Sequence, residues 1–189
     1  MSKLLTLMLL LSSTSFALES LPLDITILNR SSLELVEITY EELRQYHTGN
    51  VHIDTAFNLA YLHLGTPYVW AGYNWDDGVD CSHFTWMLYR DALSDYKLYM
   101  TTYTLKKVVK YNGLEQVDEI KAGDLLVYGY HDENGWHGHV VIAVNPKDGL
   151  VVGSNWPRGV EFVKYEGYPD YYRVPENTLK RILRLQSNN

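Results

Sequence analysis

The sequence predicts an α+β domain, with helices packed on a central antiparallel β-sheet. Two observations carry this reading. Apolar residues recur at helical spacing through the first half of the chain, and short β-type runs separated by turn-rich pieces fill the second half. A third sets the scale: 189 residues, 46% apolar and 21% charged, are enough for one core without covalent staples. No internal repeat, low-complexity tract or long linker divides the chain.

The elements follow in order. Residues 51–64, VHIDTAFNLAYLHL, set Ile53, Ala56, Phe57, Ala60 and Leu64 on one helical face, and Gly65-Thr66-Pro67 stops that helix. Residues 68–80, YVWAGYNWDDGVD, crowd glycine, asparagine and aspartate together and read as a loop. Residues 81–93 return to helical period, with Phe84, Leu88 and Ala92 on one face. The period then changes to that of strands at 124–130 (DLLVYGY), 139–144 (HVVIAV), 150–154 (LVVGS) and 160–163 (VEFV). HDENGWHG and NPKDG are the turn-rich pieces between them, and 181–185 (RILRL) supplies a last strand.

Residues 1–17 read as an export signal. Lys3 gives a positive start, 4–11 an apolar stretch, and Ser15-Phe16-Ala17 the small residues of a signal-peptidase site, with the cut expected after Ala17. The apolar stretch is too short to span a bilayer as a helix, and no cysteine follows it to carry a lipid. The expectation is a periplasmic or secreted protein without a membrane anchor, monomeric, in which 18–50 form an N-terminal extension and 51–189 the main domain. A net charge of −7 with no basic run argues against nucleic acid and anionic membrane surfaces as partners. The 16 tyrosines suit either a groove for sugars and peptides or the packing of a β-rich core.

Cys81 is the only cysteine, in DGVDCSHFTW. In an oxidising compartment structural cysteines pair, so a lone one there points to chemistry, although an inert buried thiol is the plain alternative. A free thiol has a pKa of about 8.5, and a helix N-terminus can lower it to roughly 3.5–7.5. Cys81 has that position if the helix begins there, and Asp80 opposes the effect while serving as a capping residue. Of seven histidines, His139 opens the apolar strand HVVIAV, where a polar residue has little structural reason to exist. His137 in the adjacent turn is its rival as the base, and His83 faces away from Cys81 on a helix.

The successive pieces GTPYVWAG, DCSHF, KAGDLLVYGY and GHVVIAV resemble the signatures of the NlpC-type cell-wall cysteine peptidases, over about residue 50 to the C-terminus. The resemblance implies a papain-like NlpC-type core, with Cys81 as nucleophile and His139 as general base and acid. It implies that Tyr68 lies beside the nucleophile and shapes the oxyanion site, and that Asp124 is structural. The activity implied is hydrolysis of an amide in peptidoglycan stem peptides, commonly between D-glutamate and a diamino acid, with no metal or other cofactor. Trp70, Tyr73 and Trp75 are candidate walls of the substrate groove or ordinary packing under the loop.

Three departures from that pattern stand out. Gly153 falls where the family's third polar residue usually sits, which leaves Asn155, on the same strand face, as the candidate orienting group, with Ser154 second or none at all. Ala71 and His83 both replace glycines, and His83 could narrow the groove or contact substrate carboxylates. Three other readings remain open. An acyltransferase or amidase would keep the thiol chemistry and act on another amide. A non-catalytic wall-binding module would keep the fold with a decayed triad. A metal site could be built from His131, Asp132, Glu133, His137 and His139, although their spacing fits no familiar motif and leaves Cys81 unexplained.

Overall fold

The computed structural model describes residues 36, 38–93, 99–111, 113–164 and 178–185, for 178–182 the backbone only. The expected export segment and residues 18–35 of the expected extension lie outside these residues. The described part begins with α1 (Tyr40–Arg44), whose N-terminus is closed by a capping box between Thr39 and Glu42. Next comes α2 (Val51–Leu62), capped by Asn50, whose side chain accepts from the His52 N–H at 3.0 Å. The expected apolar face of α2 is the one that buries Ala56, Phe57 and Ala60.

The loop after α2 contains a short ribbon, β1 (Tyr73–Asn74) with β2 (Gly78–Val79), and runs into α3 (Cys81–Ala92). Helix α3 buries Phe84, Met87 and Leu88 against α2 and the sheet, while Ala92 is half-buried. After the short α4 (Thr102–Leu105) the chain is β-structure: β3 (Lys110–Tyr111), β4 (Leu114–Gln116), β5 (Leu125–Asp132), β6 (Gly135–Asn145), β7 (Leu150–Asn155), β8 (Gly159–Lys164) and β9 (Thr178–Leu185). These form one antiparallel sheet in the order β3-β4-β9-β5-β6-β7-β8.

The sheet is larger than the sequence suggested, in two ways. The short pair β3–β4 extends it beyond β9. The piece HDENGWHG is not a loose turn, because β5 and β6 pair down to Asp132↔Gly135 and only residues 133 and 134 are left to reverse the chain. Asp132 accepts from the Asn134 N–H at 2.7 Å and Gly135 follows the turn at φ +112°, so a Glu133-Asn134 turn with a positive-φ glycine behind it closes a hairpin longer than hydropathy alone marks.

The outer edge of β8 is partly covered by the segment that ends α2. The Gly65 N–H donates to the Val160 carbonyl and the Val160 N–H to the Thr66 carbonyl, both at 2.9 Å. The approach is so close that a Cβ on Gly159 (φ +97°) would come within 2.1 Å of the Thr66 oxygen, so only glycine fits. At the other end Asp124, 1% exposed, accepts from the Lys121 N–H and from Arg184 of β9 through two bonds of 2.8 and 2.7 Å. That bidentate pair clamps the start of β5 to β9, and Tyr89 of α3 donates to the Gly123 carbonyl beside it.

Asp124 is thus a structural residue, as expected. Asp124→Ala should lower unfolding free energy by about 3 kcal/mol, since it strips a partner from a buried ion pair. Arg184→Ala should cost at least as much, because it leaves the buried Asp124 carboxylate without its cation, whereas the guanidinium left by Asp124→Ala is partly exposed to water. Urea denaturation of the three proteins checks the order.

Candidate active site

The site is built around the lead-in to α3. The Val79 N–H donates to the Pro67 carbonyl at 3.0 Å, and the Val79 carbonyl accepts from the Ser154 hydroxyl of β7 at 2.7 Å. Tyr68 bridges to Val79 through the backbone. Asp80 then caps the helix: its Oδ1 accepts from the N–H groups of Ser82 and His83 at 2.9 and 2.8 Å and from the Ser82 hydroxyl. Cys81 is therefore the first helical residue, tied to the sheet by Ser154 two residues upstream, and is 5% exposed.

Around the Cys81 sulfur lie the backbone N–H groups of Val140, Ser82 and Cys81 itself, each favouring the anion. Val140 is the neighbour of His139 on β6, so the thiol sits against the strand position that carries the histidine. The helix N-terminus was expected to lower the thiol pKa, and the amides do act in that direction. Burial is larger, and the Asp80 carboxylate adds to it, so the thiol is pushed up to about 12.

His139 is 4% exposed, and burial pulls its pKa down to about 3 against the opposing effects of Asn155 and Asp80. The free protein therefore keeps both the thiol and the imidazole neutral at neutral pH. Asn155 hydrogen-bonds His139 in the sense that favours the imidazolium, and with Nδ2 given to Glu161 the amide oxygen is the end left to accept. The other end of the amide, Nδ2, donates to Glu161 Oε1 of β8 at 2.8 Å. Arg158 donates to the same oxygen from Nε and Nη2 at 3.0 and 2.7 Å. Glu161 is buried, and burial raises its pKa against these partners.

Strand register explains how Asn155 reaches this position. Carrying the Ile142↔Val152 pairing back along β6 sets Gly153 opposite Val141 and Asn155 opposite His139. A Cβ on Gly153 would come within 2.8 Å of Val141 Cγ1 and 3.4 Å of Asn155 Oδ1. The amide leans over the bare glycine, two residues beyond the usual place for a third polar group. Ser154, the second candidate for that role, instead spends its hydroxyl on the Val79 carbonyl.

A model of the NlpC/P60 family matches residues 65–165, more than half of the chain and including Cys81, His139 and Asn155. The chain belongs to the NlpC/P60 family. Among solved structures, the NlpC/p60 domain of peptidoglycan hydrolase SagA is 29% identical over 60% of this chain and 90% of that one, with a TM-score of 0.46. A protein described as similar to a lipoprotein of the NLP/P60 family, from Staphylococcus aureus, is 18% identical. It covers 85% of this chain and 46% of that one, with a TM-score of 0.53, a likeness of fold: mixed helix and strand on a central antiparallel sheet. No curated protein sequence matches significantly.

Within this NlpC/P60 domain the remaining expected residues are distributed around α3. His83 Nδ1 pairs with Asp80 Oδ2 at 3.0 Å, and its ring stacks on Tyr99 with centroids 4.2 Å apart. Tyr73, exposed, lies 6.4 Å away across the ring of His83. Trp70 is 83% exposed. Trp75 packs instead: it stacks on His63 at 3.7 Å and meets Phe84 edge-on. His137 pairs with Asp132 at 2.9 Å on the outer part of the hairpin, away from the buried His139. Among the described residues no three histidine, cysteine, aspartate or glutamate side chains converge to hold a metal ion, so the expected metal alternative has no centre there. Nor is any described helix long and apolar enough to cross a membrane.

Glu161 and Arg158 are the site members that the sequence reading missed. The available signal was a glutamate inside the apolar run VEFV, the same anomaly that marked His139. The buried imidazole also makes a pH prediction. The folded protein keeps His139 neutral while the unfolded chain binds a proton below about 6.5. Stability is then fully present above that pH and declines toward about 3, by up to about 1.4 kcal/mol per pH unit. His139→Gln should flatten this decline in denaturation curves collected from neutral to acidic pH.

Proposed function

We propose that the protein is an exported cysteine hydrolase that cleaves an amide bond in peptidoglycan stem peptides, as a D-glutamyl–diamino acid endopeptidase. The observation that carries this reading is the hydrogen bond from His139 to Asn155 beside a thiol at the start of α3, inside an NlpC/P60 domain. It supplies a nucleophile, a base and an orienting group in the order that cysteine hydrolases use.

The chemistry follows from the two neutral groups. His139 takes the Cys81 proton as the sulfur attacks the scissile carbonyl, so charge develops only in the transition state. The backbone amides around the sulfur are the donors available to the oxyanion, with Tyr68 assigned the same duty. The tetrahedral species collapses when the imidazolium gives its proton to the leaving amine, leaving a thioester at Cys81. A water then attacks this thioester, losing its proton to His139, and the thiol and carboxylic acid are released. Asn155 accepts from the imidazole throughout.

His83, locked by Asp80 and Tyr99, and the exposed Tyr73 and Trp70 form the side of the site we assign to substrate. An imidazole there suits the carboxylates of stem peptides. The signal-like segment 1–17 supports delivery to the compartment that holds this substrate. The buried, neutral Cys81 thiol is the one observation that favours the second reading, a wall-binding module without turnover.

Digestion of purified peptidoglycan, with fragments read by mass spectrometry, separates the two. Wild type should release cleaved stem peptides, and Cys81→Ala and His139→Ala should release none. Asn155→Ala should retain activity reduced by about 10–100-fold, the scale seen for partners that orient a catalytic ligand. Wall binding without release by folded wild type would establish the second reading, and equal cleavage by Cys81→Ala would remove Cys81 as nucleophile.

A further inference from the structure

The reaction scheme leaves one buried ionisable group beside the site without a role, Glu161. It lies across from Gly153 in the β7–β8 pair and is 6% exposed. Its Oε1 collects donors from Asn155 Nδ2 and from both Nε and Nη2 of Arg158. A carboxamide is nearly symmetric in shape, and its two ends differ in what they offer: the oxygen accepts and the nitrogen donates. A carboxylate only accepts. Glu161 is therefore satisfied by one orientation of the Asn155 amide, with Nδ2 toward β8 and Oδ1 toward His139.

That orientation decides where the imidazole keeps its hydrogen. Neutral imidazole has one N–H and one lone pair. With Oδ1 facing it, the nitrogen beside Asn155 must carry the hydrogen, and the other keeps the lone pair that can take the Cys81 proton. With the amide reversed, Nδ2 would donate to the imidazole, the hydrogen would move to the far nitrogen, and the base would be lost while every heavy atom stayed in place. We propose that Glu161 is a positioning residue that fixes the amide orientation of Asn155 and, through it, the base-competent tautomer of His139. Arg158 completes the chain, its guanidinium offsetting the buried charge. The inference rests on the reading of Cys81 and His139 as nucleophile and base.

The test compares Glu161→Met, which removes the acceptor at similar length, with Glu161→Gln, which keeps an acceptor oxygen. Three readouts are needed: thermal melting for folding, 15N shifts of the His139 ring for the tautomer, and the rate of Cys81 alkylation by iodoacetamide against pH. Wild type and E161Q should share one tautomer and a neutral-pH alkylation rate above that of His139→Ala. E161M should populate the other tautomer, and its neutral-pH rate should fall about 10–100-fold toward the His139→Ala level. All rates should converge at high pH, where solvent removes the thiol proton without a base. A folded E161M with the wild-type tautomer and profile overturns the proposal.

Should E161M fail to fold, Glu161→Lys combined with Arg158→Met decides, because it keeps the Asn155 amide and sets a donor against it in place of an acceptor. The amide should then reverse, the other His139 tautomer appear and the neutral-pH alkylation rate fall toward the His139→Ala level, and a wild-type tautomer and rate in this variant overturn the proposal. Alkylation of His139→Ala as fast as wild type at neutral pH would instead sink the nucleophile–base reading, with the tautomer comparison still deciding the role of Glu161.

Discussion

The carboxylate of Asp80 is the group on which the site turns. One oxygen ends the loop and starts α3 by accepting from Ser82 and His83, so the first helical residue, Cys81, has its place set by a cap rather than by packing alone. The other oxygen holds His83, which stacks on Tyr99. The same charge acts at a distance: it raises the pKa of Cys81 and opposes the acidic shift of His139. A residue that begins a helix therefore also adds to the burial that keeps Cys81 neutral and works against the burial that keeps His139 neutral.

Burial is the second constraint, and it overrides the helix terminus. A thiol at a helix N-terminus is ordinarily described as activated, and the amides near Cys81 do favour its anion. With 5% of the residue exposed, the cost of placing a charge out of water is the larger effect. His139 is held neutral for the same reason. Such a site stores no ion pair at rest, and under the proposed chemistry transfer of the proton accompanies attack on the carbonyl. The arrangement makes the orientation of the imidazole matter more, since a neutral base works only from the nitrogen that bears the lone pair.

That orientation comes from the sheet. His139, Asn155 and Glu161 stand on three consecutive strands, β6, β7 and β8, and each link is a hydrogen bond between side chains on neighbouring strands. Ser154, pointing elsewhere, ties the same strand to the loop before Cys81. One strand thus registers both halves of the site: the helix start through Ser154 and the base through Asn155.

The sequence by itself determined the periods, the breaks and the anomalies. Helical spacing marked α2 and α3, alternation and apolar runs marked β5 to β9, and the motif order carried the family. These are local properties, legible because side-chain periodicity and turn chemistry act within a few residues. Cys81 and His139 stood out for a local reason too, a lone thiol at a helix start and an imidazole opening an apolar strand. The tertiary structure alone decided what depends on neighbours far along the chain. Strand register brought Asn155, rather than Ser154, to His139 and drew Glu161 and Arg158 in behind it. Pairing carried the β5–β6 hairpin through HDENGWHG. Burial decided the contest between the helix terminus and Asp80 at Cys81, because desolvation is a property of everything packed around an atom and no short stretch of sequence contains it.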